Sequence, residues 1–278
     1  MEEIILVLGG GGARGLAHIG AIRAVEEAGA KVRAVAGCSM GGIVGAFLAA
    51  GHDAASMEAV AEEIRYERLL SFGDLGGIVG GDGIARELGQ RLPDRFEDLG
   101  LPLLVTAVDV QEGALAVLNE GALVPALRAT SALPGILSPV EHEGRYLVDG
   151  GLLNNLPTDL ARTFGPVPVV AVDVAAPPDR RLRFEDDRGL YARLKDAIHP
   201  HRALTVELFM KAFDVPQALV TQMRLSMAPP DVLVRPALGS EFGVEQFGRR
   251  EEAIAAGYEA TATALAAFSA RRSGEAAP

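Results

Sequence analysis

The 278-residue chain has a single cysteine, Cys38, so no intrachain disulfide can form and a disulfide-stapled secreted domain is excluded. Tryptophan is absent and aromatic residues make up 5%, which removes the stacking platforms used to bind single-stranded nucleic acid. Positive charge is scarce: 26 Lys and Arg against 37 Asp and Glu give a formal net charge of −11. Such a surface repels nucleic acid and has no general attraction for anionic lipid. Any transient contact with a membrane surface must then be apolar and local. No run approaches the roughly 20 apolar residues needed to cross a bilayer. The start, MEEIILVLGG, is acidic where a secretory signal would be basic. These absences lead to the expectation of a cytoplasmic protein, at most peripheral at the inner membrane, with no nucleic-acid partner. Apolar residues, by contrast, are plentiful at 49%, enough for a large core.

Apolar runs with strand character alternate with helical patterns. IILVLGG (4–10), KVRAVAG (31–37), RYLVDGG (145–151), VPVVAVDVA (167–175) and DVLVRP (231–236) read as strands. The runs around Gln111, Glu112 and Gly113 read as a β-hairpin. Asp53 is placed to cap a helix running to about Tyr66, and Asp82 to cap a shorter one. A charged loop is expected over 176–189. An amphipathic stretch from Ala203 to Met227 is expected to break at Pro216, and a last helix to span Val244 to Phe268. This alternation implies a mainly parallel sheet covered on both faces. No linker divides the chain, so 1–270 is expected to be one domain and 271–278 a frayed tail. In such a sheet ligands bind beyond the carboxyl ends of strands. Glycine-rich turns follow Leu8, Ala36 and Val148, each at the end of an expected strand.

The second of these turns, Gly37-Cys38-Ser39-Met40-Gly41, matches G-x-S-x-G between a strand and a helix. A strand that turns directly into a helix strains the central residue and leaves no room for side chains at the glycines. The hydroxyl is then raised near a helix N-terminus, where free N–H groups favour negative charge. Ser39 is thus a candidate nucleophile; the plainer alternative is a helix N-cap.

Gly10-x-Gly12-x-x-Gly15 has the spacing of a dinucleotide-binding loop. That reading requires an acidic residue at the end of the second strand, and Gly37, Cys38 and Ser39 stand there instead. The other reading is an oxyanion hole, in which consecutive glycines turn N–H groups toward a developing negative charge. Each such donor is worth roughly 3 kcal/mol of barrier. Gly10, Gly11 and Gly12 form the candidate hole, Gly11 and Gly12 as leading donors, with the Met40 N–H assisting. Arg14 positions this loop, binds a substrate phosphate or forms a surface ion pair.

A serine nucleophile needs a base. Of the five histidines, none lies in a distinctive motif; His199 and His201 are the rivals that follow in Ser…Asp…His order. Asp149 ends an apolar strand before Gly150 and Gly151, and burial there would raise its pKa toward that of a useful base. An ordinary Asp-Gly turn is the alternative. An apolar stripe of Val206, Phe209, Met210 and Phe213, with Leu219, Val220 and Met223 beyond Pro216, is expected to pack in the core or to cap the site toward lipid. The glycine-rich loop from Gly73 to Gly83 is a candidate lid. Asn155 is expected to cap the helix at Pro157 or to hydrogen-bond near the Asp149 turn.

GGGARG at 10–15, GCSMG at 37–41 and DGG at 149–151, in that order, resemble the patatin-like phospholipases, in particular the bacterial branch related to neuropathy target esterase. SALPGILSPV, DGGLLNNLP and FGRREEAIAAGYEA are similar to that branch as well, so the resemblance spans about Ile4 to Ala260. It implies a three-layer α/β/α fold and a Ser–Asp dyad without histidine: Ser39 as nucleophile, Asp149 as base, and the Gly10–Gly15 loop around the oxyanion. Arg14, Gly15, Gly37, Gly41, Gly150 and Gly151 complete the motifs. The implied activity is cleavage of lipid acyl esters without cofactor or metal; transfer of the acyl group to another acceptor, or thioester cleavage, would use the same acyl-serine. A nucleotide-binding regulatory module and a non-catalytic adaptor are the rivals from other classes. Leu137 and Ser138 stand where the family pattern has an aromatic residue and a proline, which changes the expected acyl channel wall.

Overall fold

A computed structural model describes residues 3–64, 81–175, 202–239 and 242–273, with the backbone alone over 202–211. The charged loop over 176–189 and most of the candidate lid therefore lie outside the described residues, as do His199 and His201. The strands are β1 (Glu3–Leu8), β2 (Lys31–Cys38), β3 (Leu103–Asp109), β4 (Ala114–Leu118), β5 (Val140–His142), β6 (Arg145–Asp149), β7 (Val169–Val172) and β8 (Val232–Val234). The helices are α1 (Ala17–Glu27), α2 (Met40–Ala49), α3 (Ala54–Glu63), α4 (Asp82–Gly89), α5 (Leu123–Thr130), α6 (Gly151–Asn154), α7 (Thr158–Ala161), α8 (Arg202–Met227) and α9 (Arg250–Ser273).

The strands form one sheet in the order β5-β6-β3-β2-β1-β7-β8, with β4 pairing on β3. Its body, β3-β2-β1-β7-β8, is parallel. β4, β5 and β6 add antiparallel pairings around β3. Alternation along each strand fills both faces. Ile4, Leu6 and Leu8 join Val35, Val105 and Val172 in a core with α1, α2, α3 and α9. Ile5 and Val7 join Ala36, Leu104 and Ala171 in a second core with Leu156 and Ala161 of the α6–α7 region. This gives the three layers. On the first face α1 and α9 cross with their backbones nearly touching: a Cβ on Gly20 would run into the Ile254 carbonyl, and one on Gly257 into that of Ala17.

Several elements differ from expectation. Asp53 caps α3, accepting the Ser56 N–H at 2.8 Å, whereas α4 is capped by Gly81 in a left-handed conformation, with Asp82 already in the first turn. α8 does not break at Pro216 but runs through it. Tertiary bonds beyond the proline hold it: Arg224 donates to the Leu153 carbonyl at 2.7 Å and pairs with Asp159. No described helix is long and apolar enough to cross a membrane.

Candidate active site

β2 ends at Cys38 and α2 begins at Met40, so Ser39 alone makes the bend, with φ 52° and ψ −126°. A non-glycine residue held there stores on the order of 1–3 kcal/mol of strain. The flanking glycines make the bend possible: a Cβ on Gly37 would lie 2.7 Å from Gly42 Cα, and one on Gly41 would run into the Leu8 carbonyl. The Ser39 N–H donates to Thr130 Oγ1 at 2.9 Å, and the Thr130 hydroxyl donates to the Thr106 carbonyl at 2.6 Å. Ser39 occupies the N-cap position, yet its side chain makes no capping bond; its hydroxyl instead favours the charged form of the Asp149 carboxylate.

Asp149 reaches Ser39 by an unexpected route. β6 runs antiparallel to β3, with Asp149 paired to Ala107, while Cys38 pairs in parallel with Thr106. The carboxyl end of β6 therefore comes level with the bend from the opposite direction to β1 and β2. Asp149 is 4% exposed. Its Oδ1 accepts the Gly151 N–H at 2.8 Å and the Cys38 thiol at 3.6 Å. Burial raises its pKa from 3.8 to about 6, against the lowering effect of the Gly151 and Cys38 hydrogen bonds and of the Ser39 hydroxyl. Burial also raises the Cys38 thiol pKa, so the sulfur stays protonated and donates.

The glycine loop closes over both residues. Gly12 has φ +55°, and a Cβ there would press on Val244. The Gly10 N–H is taken by the Asn155 carbonyl at 3.3 Å, while the Asn155 side chain donates back to the Gly10 carbonyl at 3.1 Å. No described acceptor pairs with the Gly11 or Gly12 N–H. Arg14 is buried and donates to the carbonyls of Val174, Leu238, Gly239 and Phe242, so it is a loop anchor rather than a surface ion pair. Gly15 presses against Met40, joining the loop to α2, and Gly150 packs on the Thr106 carbonyl. His18 is buried with Nε2 2.7 Å from the Gly9 carbonyl, and burial pulls its pKa down to about 4. It is a neutral donor that fixes the strand end, not a base.

Gly10, Gly11, Gly12, Ser39 and Asp149 line one cleft of about 1000 Å³, open mouth included. Leu137 and Phe213 form part of its apolar wall, and no histidine is among its described lining residues. The proline-crossing helix divides its side chains. Phe213 and Gln217 face the cleft, whereas Val215, Leu219, Met223 and Met227, spaced by four, are exposed, Leu219 and Met223 by 58% and 57%. Core packing, the first expectation for this stripe, does not hold for Leu219 and Met223.

Residues 6–162, more than half of the chain, match the family model described as "Patatin-like phospholipase". The chain belongs to this family. Mouse "Patatin-like phospholipase domain-containing protein 6" is 36% identical over 191 residues, covering 65% of this chain and 14% of that protein. "Lysophospholipase NTE1" of Pyricularia oryzae is 30% identical over 277 residues, covering 93% of this chain and 18% of that one. The chain thus spans less than a fifth of the length of these relatives. Among solved structures, VipD from Legionella pneumophila has the same fold with a TM-score of 0.57 at 15% identity, over 95% of this chain and 66% of that one.

Within this patatin-like fold, several residues that build the site escape a reading of motifs. Thr130 and Thr106, which hold the bend, carry only a faint signal: Thr106 is the lone hydroxyl in the apolar run LLVTAVD. Asn155 does not cap the helix at Pro157, which has no side-chain cap. It ties the Asp149 turn to the glycine loop, a role visible only once two segments 145 residues apart are joined.

Proposed function

We propose that the chain is a serine acyl hydrolase that cleaves carboxylic esters of lipids through a Ser39–Asp149 dyad. One observation carries the reading: a buried carboxyl whose pKa is raised to about 6 lines the same cleft as the strained serine, whose hydroxyl favours its charged form. At neutral pH that carboxyl is charged and a far better proton acceptor than a free aspartate. Ser39 Oγ attacks the ester carbonyl carbon and its proton passes to Asp149. The oxyanion is stabilised by the Gly11 and Gly12 N–H groups, with the Met40 N–H assisting. Collapse breaks the bond to the alcohol, which leaves with the proton from Asp149. Water then attacks acyl-Ser39, giving its proton to Asp149, and Ser39 departs with that proton restored. The catalytic roles need neither metal nor cofactor. The dinucleotide reading is disfavoured by the missing acid at Cys38 and Ser39 and by the Gly10 N–H being already paired.

We infer that the protein meets its substrate at a lipid surface, as a peripheral visitor. The exposed stripe from Val215 to Met227 lies on the helix whose other side walls the cleft, and an apolar contact suits a chain of net charge −11. The decisive experiment is labelling with a fluorophosphonate followed by mapping of the adduct, with hydrolysis of lysophospholipid and simple esters measured in parallel. An adduct on Ser39 that is lost in Ser39→Ala, together with ester hydrolysis, is the expected result. Labelling elsewhere, or full hydrolysis by Ser39→Ala, overturns the reading.

A further inference from the structure

Beside the dyad cleft lies a second hollow that the proposed chemistry does not use. It is bounded by α2, α3 and α4 and encloses about 770 Å³, open mouth included. Glu87 is the only ionisable residue among the described residues that line it. Protein interiors leave few voids larger than a water molecule, and an apolar lining of this kind is the usual character of a ligand site.

The two hollows share a wall. Met40, Ile43, Ile84 and Phe247 line both of them. Met40 directly follows the nucleophile, and its unbranched thioether is the most adaptable of apolar side chains. From there Met40, Ile43, Val44 and Phe47 follow i, i+3, i+4, i+7 spacing, which sets them on one face of α2. That face leads about 10 Å away from Ser39. The dyad cleft differs in its polar groups: Ser131, Asp214, Gln217 and Glu245 line it but not the second hollow.

Resting on the acyl-hydrolase reading, we propose that the second hollow receives the distal part of the acyl chain, which crosses the Met40–Phe247 wall, while the alcohol portion stays at the Ser131–Gln217 end of the dyad cleft. The oxyanion donors fix the carbonyl between these two ends. The acyl chain therefore leaves Ser39 along α2, and Val60 and Ala61 of α3, which line the second hollow but not the dyad cleft, set the chain length accepted. Each methylene that enters is worth up to about fourfold in kcat/KM, from its burial alone.

The test uses p-nitrophenyl esters from C4 to C16 with the wild-type chain, Val60→Trp and Ala61→Phe, neither residue lining the dyad cleft. The expected result is a fall of at least tenfold in the ratio of C12 to C4 kcat/KM for both variants, with Ser39 still labelled by a short-chain fluorophosphonate. Unchanged ratios overturn the proposal and leave the acyl-hydrolase reading standing. Failure of the wild-type chain to cleave any ester or to be labelled overturns the reading beneath it instead. Should Ala61→Phe fail to fold, Val60→Trp at a half-buried position carries the test. Val60→Ala, which widens the hollow, is expected to move the optimum to longer chains, and an unmoved optimum counts against the proposal.

Discussion

The bend at Ser39 and the loop from Gly10 to Gly15 face one cleft, but they are held in different ways. The bend is shaped by close packing: Gly37 against the start of α2, Gly41 against the end of β1, and one side chain, Thr130, catching the Ser39 N–H. The loop, with four consecutive glycines from Gly9 to Gly12, is held by partners far along the chain. Arg14 reaches carbonyls 160 to 228 residues away, and Asn155 reaches Gly10 across 145. The proposed nucleophile is thus strained and held chiefly by close packing. The proposed oxyanion donors take their aim from segments that dock only when the C-terminal part has folded.

Four substitutions would break or sharpen this contrast. The largest effect is expected from Asp149→Asn, which removes the base and lowers kcat by on the order of 10³-fold. The same change should stabilise the fold. The folded pKa of about 6 lies above the unfolded 3.8, so stability is lost as pH rises through about 6, and the charged carboxylate costs on the order of 2–3 kcal/mol at pH 8. Melting temperatures across pH 4 to 8 test this: Asp149→Asn should melt higher at pH 8, the gap closing toward pH 4. Wild-type kcat/KM should fall as pH drops below about 6, because the base must be charged. Next, Asn155→Ala frees the loop and is expected to lower kcat by about 10²-fold with KM little changed, the scale of a small misplacement of donors. Thr130→Val leaves the buried Ser39 N–H without an acceptor. It should destabilise by roughly 1–3 kcal/mol, read in a denaturant titration, with a smaller effect on kcat than Asn155→Ala. If the order of the two kcat effects is reversed, the contrast fails. The smallest effect is expected from Cys38→Ala. Losing the 3.6 Å thiol bond, which favours the charged carboxylate, should move the acidic limb of the pH–rate profile a few tenths of a pH unit upward.

Much of this arrangement is legible in the sequence because its signals are short. Short continuous apolar runs give the strands, and G-x-S-x-G between a strand and a helix gives the bend. The direction of β6 is not legible, since an apolar run reads the same in a parallel or antiparallel pairing. The choice among the roles open to Arg14 is not legible, because its acceptors are backbone carbonyls, which no side-chain pattern reveals. Pro216 reads as a break because propensity is local, whereas the bonds of Arg224 that keep α8 whole are tertiary. The second hollow is equally hidden: Val60 and Ala61 look like ordinary helix residues until α3 is laid against α2.

The antiparallel arrival of β6 has one more consequence. Successive side chains on a strand point to opposite faces, so sliding β6 by a single residue against β3 would turn the Asp149 carboxylate away and offer Val148 to the serine. Turnover in this chain would then act as a gauge of strand alignment: a preparation with the edge misaligned by one position is not slow but silent, however native its helix content.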